Sequence, residues 1–251
     1  MSTLRIAGVI PARLSSTRLA RKVLRDIAGR PMVEWVWRAA CASSLMDPVV
    51  VATDSEEVSA VCRERGIPAL MTSPECASGT DRVREVARQI DADVYVNIQG
   101  DEPTLSPDFF SPLLSLFSRP EVDVATLAIR CASEDIANPN AVKVVTALDG
   151  RALYFSRATI PYDRDNAGFC GYRKHLGIYA YRRAALERFA SLEPSWIEHV
   201  ERLEQLRLLD NGMNIYVAVA PRDTIGVDTE EDLRRAEAVL IRRKVEQAIP
   251  D

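Results

Sequence analysis

The chain has 251 residues, 47% of them hydrophobic and 27% charged, with a formal net charge of −4 from 32 basic and 36 acidic side chains. That length suits one large α/β domain, or a main domain with a smaller appendage, and the composition is that of an ordinary globular protein. The small acidic excess argues against a nucleic-acid-binding surface, yet it leaves room for a local basic pocket that takes an anionic ligand.

The first apolar run, Leu4 to Ile10, is strand-sized and ends at Pro11; a polar, basic segment from Ala12 to Arg25 follows it. Gly29-Arg30-Pro31 punctuates the chain, and Met32, Trp35, Val36 and Ala39 then recur at helical spacing, so Pro31 opens a helix. A strand from Val49 to Thr53 comes next, then a helix capped by Asp54 with Glu57 as reciprocal partner and ended by Gly66. Leu70-Met71 closes a short strand. Thr80 is a candidate cap for a helix whose inner face is Val83, Val86, Ala87 and Ile90, and Val94 to Ile98 is a strand. Ser106-Pro107 supplies a cap with proline at the first helical position. Strands alternating with helices of about three turns predict a mostly parallel sheet covered on both faces. The loops at Pro11–Arg25, Asp54 and Gln99–Pro103 should gather along one sheet edge, where such folds bind ligands.

The rhythm changes after Val124. Val124 to Arg130, Val142 to Thr146, Ala152 to Ser156 and Lys174 to Tyr181 read as strands, with a turn at Asp149-Gly150, so a mixed or antiparallel region is added over about 124–182. Helices follow at Arg183–Ser191 and Glu198–Asp210, then a strand at Ile215–Ala220. Asp228-Thr229 opens a last helix with Leu233, Ala236 and Leu240 inward and Arg242, Arg243 and Lys244 nearer its negative end. No internal repeat or low-complexity linker divides the chain, which reads as a single domain over 1–251.

Several constellations carry chemistry. Arg13, Arg18, Arg21 and Lys22 lie in the loop after the first strand, with Arg5 before it and Arg25 after it; cations interleaved with small hydroxyl residues suit phosphate oxygens. The glycines of a P-loop or a dinucleotide fingerprint are absent, and an ordinary solvated basic loop is the competing reading. In Gln99-Gly-Asp101-Glu102-Pro a carboxylate ends a buried strand, a position suited to holding Mg²⁺ against a triphosphate; helix capping or a plain turn is the alternative, and Glu102 is expected to face away. Asp228 is either the second metal carboxylate or, like Thr229, an N-cap. Ser78-Gly79-Thr80-Asp81-Arg82 opens a helix and offers amides and hydroxyls to a base or ribose.

Lys143, Arg157, Arg164, Lys174 and His175 alternate with apolar residues in the added sheet, which divides them between a pocket and solvent. His175 and His199 lie far apart with no cysteine pattern near either, and Cys41, Cys62, Cys76, Cys131 and Cys170 are too dispersed for a zinc site or a disulfide framework. No nucleophile elbow supports a serine hydrolase. Residues 1–11 lack the apolar run of a secretion signal and no segment reaches membrane-spanning length, so a cytoplasmic protein without membrane insertion is expected.

The segments IPARLSSTRL with Lys22, VATDSEEV, SGTDR, VNIQGDEP, NPNAVKVV, ALYFSRATIPYDRD, KHLGIYAYR, ERLEQLRLL and GVDTEEDL span nearly the whole chain. Together they resemble the 3-deoxy-manno-octulosonate cytidylyltransferases (CMP-Kdo synthetases). The resemblance implies a nucleotide-diphospho-sugar-transferase-like α/β fold, a homodimer, and coupling of CTP to the acidic eight-carbon sugar Kdo with release of pyrophosphate, for lipopolysaccharide biosynthesis. Carried onto this chain it implies that Arg13 and Lys22 bind the triphosphate, that Ala12, Ser78, Gly79 and Thr80 line the cytidine pocket, and that Asp101 and Asp228 coordinate Mg²⁺. It further implies that Gln99, Arg157, His175, Tyr181, Glu204 and Gln205 shape the sugar site. Relatives commonly have Pro-Gly where this chain has Ala20-Arg21, and the stretch from Asn166 to Arg173 is short. Transfer to an 8-amino relative of Kdo or another ulosonate is the nearest alternative, and a catalytically silent nucleotide-binding protein the alternative of a different class.

Overall fold

The computed structural model describes residues 4–14 and 19–248, the last five of these by backbone alone. Ser15, Ser16, Thr17 and Arg18 of the basic loop, and the side chain of Lys244, lie outside the described residues. The chain forms two compact units, one built from the chain up to Phe110 together with the chain from Thr224 onward, the other from Ser111–Asp223.

In the first unit β1 (Ile6–Pro11) leads through a small antiparallel pair, β2 (Asp26–Ile27) and β3 (Arg30–Pro31), to α1 (Met32–Ala42). Then come β4 (Val49–Thr53), α2 (Glu56–Glu64), β5 (Ala69–Met71), α3 (Gly79–Ala87) and β6 (Val94–Asn97). The sheet order is β6-β1-β4-β5 and every pairing in it is parallel. All residues of β4 and β6 are buried, as strands covered on both faces by helices must be. Gly8 pairs with both Val49 and Val96, so β1, β4 and β6 run in the same direction and their following loops emerge at the same edge of the sheet.

Two helix starts differ from the sequence expectation. Ser55, rather than Asp54, caps α2 by accepting from the Val58 amide, because Asp54 is engaged by Arg82 at 2.9 Å. Ser78, rather than Thr80, caps α3 in a reciprocal capping box with Asp81, while Thr80 is buried inside the first turn.

The second unit begins within α4 (Phe110–Ser115) and continues through β7 (Val124–Arg130), α5 (Ser133–Ile136), β8 (Lys143–Thr146), β9 (Ala152–Ser156), β10 (Arg173–Arg182), α6 (Arg183–Ala190), α7 (Trp196–Glu201), α8 (Gln205–Asp210) and β11 (Ile215–Val219). Its sheet is mixed: β10 lies antiparallel to β7 and β8, β9 lies antiparallel to β8, and β11 runs parallel to β7. The one helix expected over Glu198–Asp210 is two. Arg202 takes the left-handed conformation (φ 55°) between them, and the Glu201 carbonyl accepts from Arg157 Nε at 2.8 Å in place of a downstream amide.

The chain then returns to the first unit and ends in α9 (Glu230–Ala248). Val227, Leu233, Ala236 and Leu240 pack with Leu19, Ile27 and Met32, which fixes the start of α9 beside the β1 loop. A mostly parallel, helix-flanked sheet with a mixed addition is the expected α/β class. No described helix is long and apolar enough to cross a membrane.

Candidate functional site

The loops after β1 and β6, the first turn of α3 and the turn before α9 enclose a cavity of about 520 Å³ in the first unit, within the range of small-molecule sites. Its floor depends on a close approach. A side chain on Gly100 would place its Cβ 2.8 Å from the Pro11 carbonyl oxygen, so only glycine lets the β6 loop lie against the end of β1.

Lys22, Asp101 and Asp228 meet at the cavity wall. Lys22 Nζ donates to Asp101 Oδ2 at 2.6 Å and to Asp228 Oδ1 at 2.9 Å. The lysine side chain is 14% exposed, the two carboxylates 32% and 42%. Burial works against the ammonium, but Asp101 and then Asp228 outweigh it and hold the Lys22 pKa above the ordinary lysine value. Backbone geometry fixes the spacing of the two acids: the Val227 amide donates to the Asp101 carbonyl at 2.9 Å, and Val227 itself is wholly buried. Thr229 and Asp232 form the reciprocal cap of α9, so the Asp228 carboxylate turns to Lys22 instead of the helix end. Thr104 reinforces this turn, since its hydroxyl accepts from the Ile225 amide and its carbonyl from Arg243.

Of the basic run, Arg13 and Lys22 line the cavity. Arg5 pairs with Asp91 and Asp93, Arg21 with Glu57, and Arg25 with Glu230. Arg21 holds a left-handed backbone (φ 55°) immediately before Lys22. Ser78, Gly79 and Gln99 line the cavity as well. Ala12 and Thr80 are not among the lining residues and are 0% and 1% exposed. The lining residues Cys76, Gly100 and Arg82 have no role in the sequence expectation, although Gly100 and Arg82 lie within its motifs. Burial raises the Cys76 thiol to about 11, which leaves it a poor nucleophile. Arg82 is 3% exposed and its guanidinium joins the Thr72 hydroxyl and Asp54, so it ties α3 to the loops after β4 and β5. Its place in a capped helix start, three residues after Gly79, was the available signal.

The second unit gathers His175, Tyr179 and Tyr181. Leu176 and Tyr179 face the adjacent positions Leu127 and Thr126, so a bulge takes up the residues between them and brings His175 and Tyr179 together, ring centroids 5.3 Å apart. Tyr181 stacks beyond at 5.9 Å and Phe155 meets His175 edge-on. Thr126 Oγ1 gives its proton to the Ile178 carbonyl at 2.7 Å and so accepts from His175 Nε2 at 3.0 Å, leaving Nδ1 as the acceptor of a neutral ring. Burial lowers the His175 pKa to about 3. Tyr179, absent from the expected set, has a buried hydroxyl near Thr126, and the buried Gln205 side-chain amide nitrogen has no hydrogen-bond partner among the described residues. Glu204 adjoins Gln205 at the start of α8. The signal for Tyr179 was its place four residues after His175, hidden by the bulge.

Arg157 and Lys143 are tied into the framework of this unit. Arg157 donates to the Glu201 and Pro139 carbonyls, and Lys143, wholly buried, donates to the carbonyls of Asn138, Ala141 and Arg157. Lys174 bridges Asp135 and Asp223. Among the described residues no three His, Cys, Asp or Glu side chains group as a metal site. Asp101 and Asp228 nevertheless suit Mg²⁺, which favours one or two carboxylates with phosphate and water completing its shell.

The cytidylyltransferase family profile matches residues 7–215. A 3-deoxy-manno-octulosonate cytidylyltransferase of Acidobacterium capsulatum is 66% identical over 97% of this chain and 100% of its own length. One of Koribacter versatilis is 56% identical over 95% of this chain and 91% of its own. Among solved structures, a CMP:2-keto-3-deoxy-manno-octonic acid synthetase complexed with CTP superposes with a TM-score of 0.91 at 41% identity, covering 95% of this chain and 99% of that one.

Proposed function

The chain belongs to the 3-deoxy-manno-octulosonate cytidylyltransferase family, and we propose that it transfers CMP from CTP to Kdo, giving CMP-Kdo and pyrophosphate for lipopolysaccharide biosynthesis. The observation that carries the reading is the convergence of Lys22, Asp101 and Asp228 on one wall of a nucleotide-sized cavity that Arg13 also lines.

The anomeric hydroxyl of Kdo attacks the α-phosphorus of CTP, its proton is released to solvent, and the bond to pyrophosphate breaks in line. Arg13 and Lys22 neutralise the triphosphate, and their charge counts for more as the leaving pyrophosphate gathers negative charge. Asp101 and Asp228 would hold Mg²⁺, which when bound supplies further neutralisation of the phosphates. Ser78 and Gly79 line the cavity wall where the nucleotide is proposed to lie, and Gln99, expected at the sugar, lines the same wall. We assign the sugar acid to His175, Tyr181, Glu204 and Gln205, add Tyr179 because its ring lies against His175, and give Arg157 the task of holding the α7–α8 break from which Glu204 and Gln205 extend. The reading includes a cytoplasmic homodimer, which sedimentation of the purified protein would test.

Pyrophosphate release with CTP, Mg²⁺ and Kdo, run beside the 8-amino analogue, tests the proposal. Fast release with Kdo supports it. Preference for the analogue moves the substrate while keeping the chemistry, and silence with every ulosonate offered, despite CTP binding, would overturn it.

A further inference from the structure

The two carboxylates assigned to a divalent ion already hold a cation of the protein's own. Lys22 Nζ stands 2.6 Å from Asp101 Oδ2 and 2.9 Å from Asp228 Oδ1, on a side chain that is only 14% exposed. A Mg²⁺ ion bound to the same oxygens needs contacts of about 2.0–2.1 Å. Ion and ammonium would then crowd one small space, with like charges in a half-buried site where water screens poorly.

We propose that Lys22 is the resident cation of the nucleotide-free site, and that the two acids become open to a divalent ion only when phosphate oxygens draw the ammonium away. The inference rests on the metal assignment made above and adds an order to it: the metal enters with the nucleotide or after it. Three observations support the exchange. The backbones that carry the acids are held close together, because the Val227 amide bonds the Asp101 carbonyl and so joins the two loops beside the carboxylates. The lysine stem can move, being unbranched and rooted in a short 3-10 turn, Lys22–Leu24, rather than in a long helix or a strand. The space it would swing into is the same cavity, which Arg13 also lines, while the third lining cation, Arg82, is engaged by Asp54. One ammonium thus serves in turn as counter-ion to the acids and to the triphosphate.

The test is Mn²⁺ binding without nucleotide, read by electron paramagnetic resonance and by the shift in melting temperature. The wild type should bind Mn²⁺ weakly, and Lys22→Met should bind it at least about tenfold more tightly, because the variant removes the like charge that stands between the two acids. The Met variant is also expected to gain melting temperature on adding Mn²⁺ while the wild type gains none. Should Lys22→Met fail to fold, Lys22→Gln keeps a donor without the charge and carries the same expectation. Tight Mn²⁺ binding by the nucleotide-free wild type, or equal affinity in wild type and variant, would overturn the exchange. A parallel arm with CTP separates this from the metal assignment itself. If CTP-loaded wild type binds Mn²⁺ and Asp228→Asn loses it, the metal site stands even where the exchange falls; if Asp228→Asn binds as the wild type does, the assignment and the inference fall together.

Discussion

Replacing Gly100 with alanine perturbs the site through one atom. The new Cβ would stand 2.8 Å from the Pro11 carbonyl oxygen and 3.4 Å from Ile10 Cγ2. The closer obstacle is backbone at the end of a strand paired on both sides, so it cannot rotate away as a side-chain tip would. Overpacking of this kind costs about 1–3 kcal/mol, or roughly 2–12 °C in melting temperature for a chain of this size. The easier relaxation moves the loop rather than the strand, and Asp101 moves with it. Asp101 is proposed to hold Mg²⁺ against the phosphates, and a shift on the order of 1 Å at such a group lowers turnover on the order of 100-fold. Thermal melting and pyrophosphate release at saturating CTP and Kdo read the two effects separately. Gly79→Ala is the control, since its nearest neighbour lies at 3.5 Å, an ordinary contact, and its melting temperature should match the wild type or exceed it. If Gly100→Ala melts and turns over as the wild type does, the close-approach argument is wrong.

Three further outcomes are expected. Arg21→Gly relieves a left-handed backbone worth about 1–2 kcal/mol and loses an exposed pair with Glu57 worth at most about 1 kcal/mol, so thermal melting should show no loss of stability; a clear fall would mean that the Arg21 side chain anchors the loop. His175 has a folded pKa of about 3 against an ordinary 6.5, so its contribution is complete above about pH 6.5 and is lost as pH falls toward 3. At pH 5 that loss is at most about 2 kcal/mol; denaturant unfolding should show it, His175→Gln should flatten the slope between pH 6.5 and 4, and an unchanged slope in the variant would exclude His175 as its source. Lys143→Met strands three carbonyls that share one buried ammonium and should cost about 3–5 kcal/mol in urea unfolding, whereas a cost below about 1 kcal/mol would show that they find other donors.

The parallel half was legible because its signals are local. Val49–Thr53 is an unbroken apolar run bounded by turn residues, and it forms a fully buried strand over those five residues. Val124–Arg130 and Ala152–Ser156 also stand at their expected limits. What sequence reasoning misplaced was decided by partners distant in the chain. Asp54 has the composition of a cap, but Arg82, 28 residues on, claims it and leaves the task to Ser55. The periodicity over Glu198–Asp210 is helical throughout, yet Arg157, 44 residues earlier, takes the carbonyl that would have continued the helix. Lys143 and Arg157 alternate with apolar residues as pocket cations would, and only the fold reveals that carbonyl oxygens satisfy them.

The cavity shows why the same reasoning reached further there. Lys22, Asp101 and Asp228 each follow or precede a regular element at a place where parallel α/β sheets present loops, so type and position together marked them. The sequence could not reveal that Asp228, 206 residues from Lys22, shares its ammonium with Asp101. That sharing is supported by a backbone hydrogen bond, from the Val227 amide to the Asp101 carbonyl, which no side-chain pattern encodes. The bond persists because burial of Val227 with Leu233, Ala236 and Leu240 fixes the start of α9, and because Thr229 takes the cap that Asp228 would otherwise supply. Packing of an apolar helix face thus sets the separation of two carboxylates, and that separation decides whether one cation can serve both.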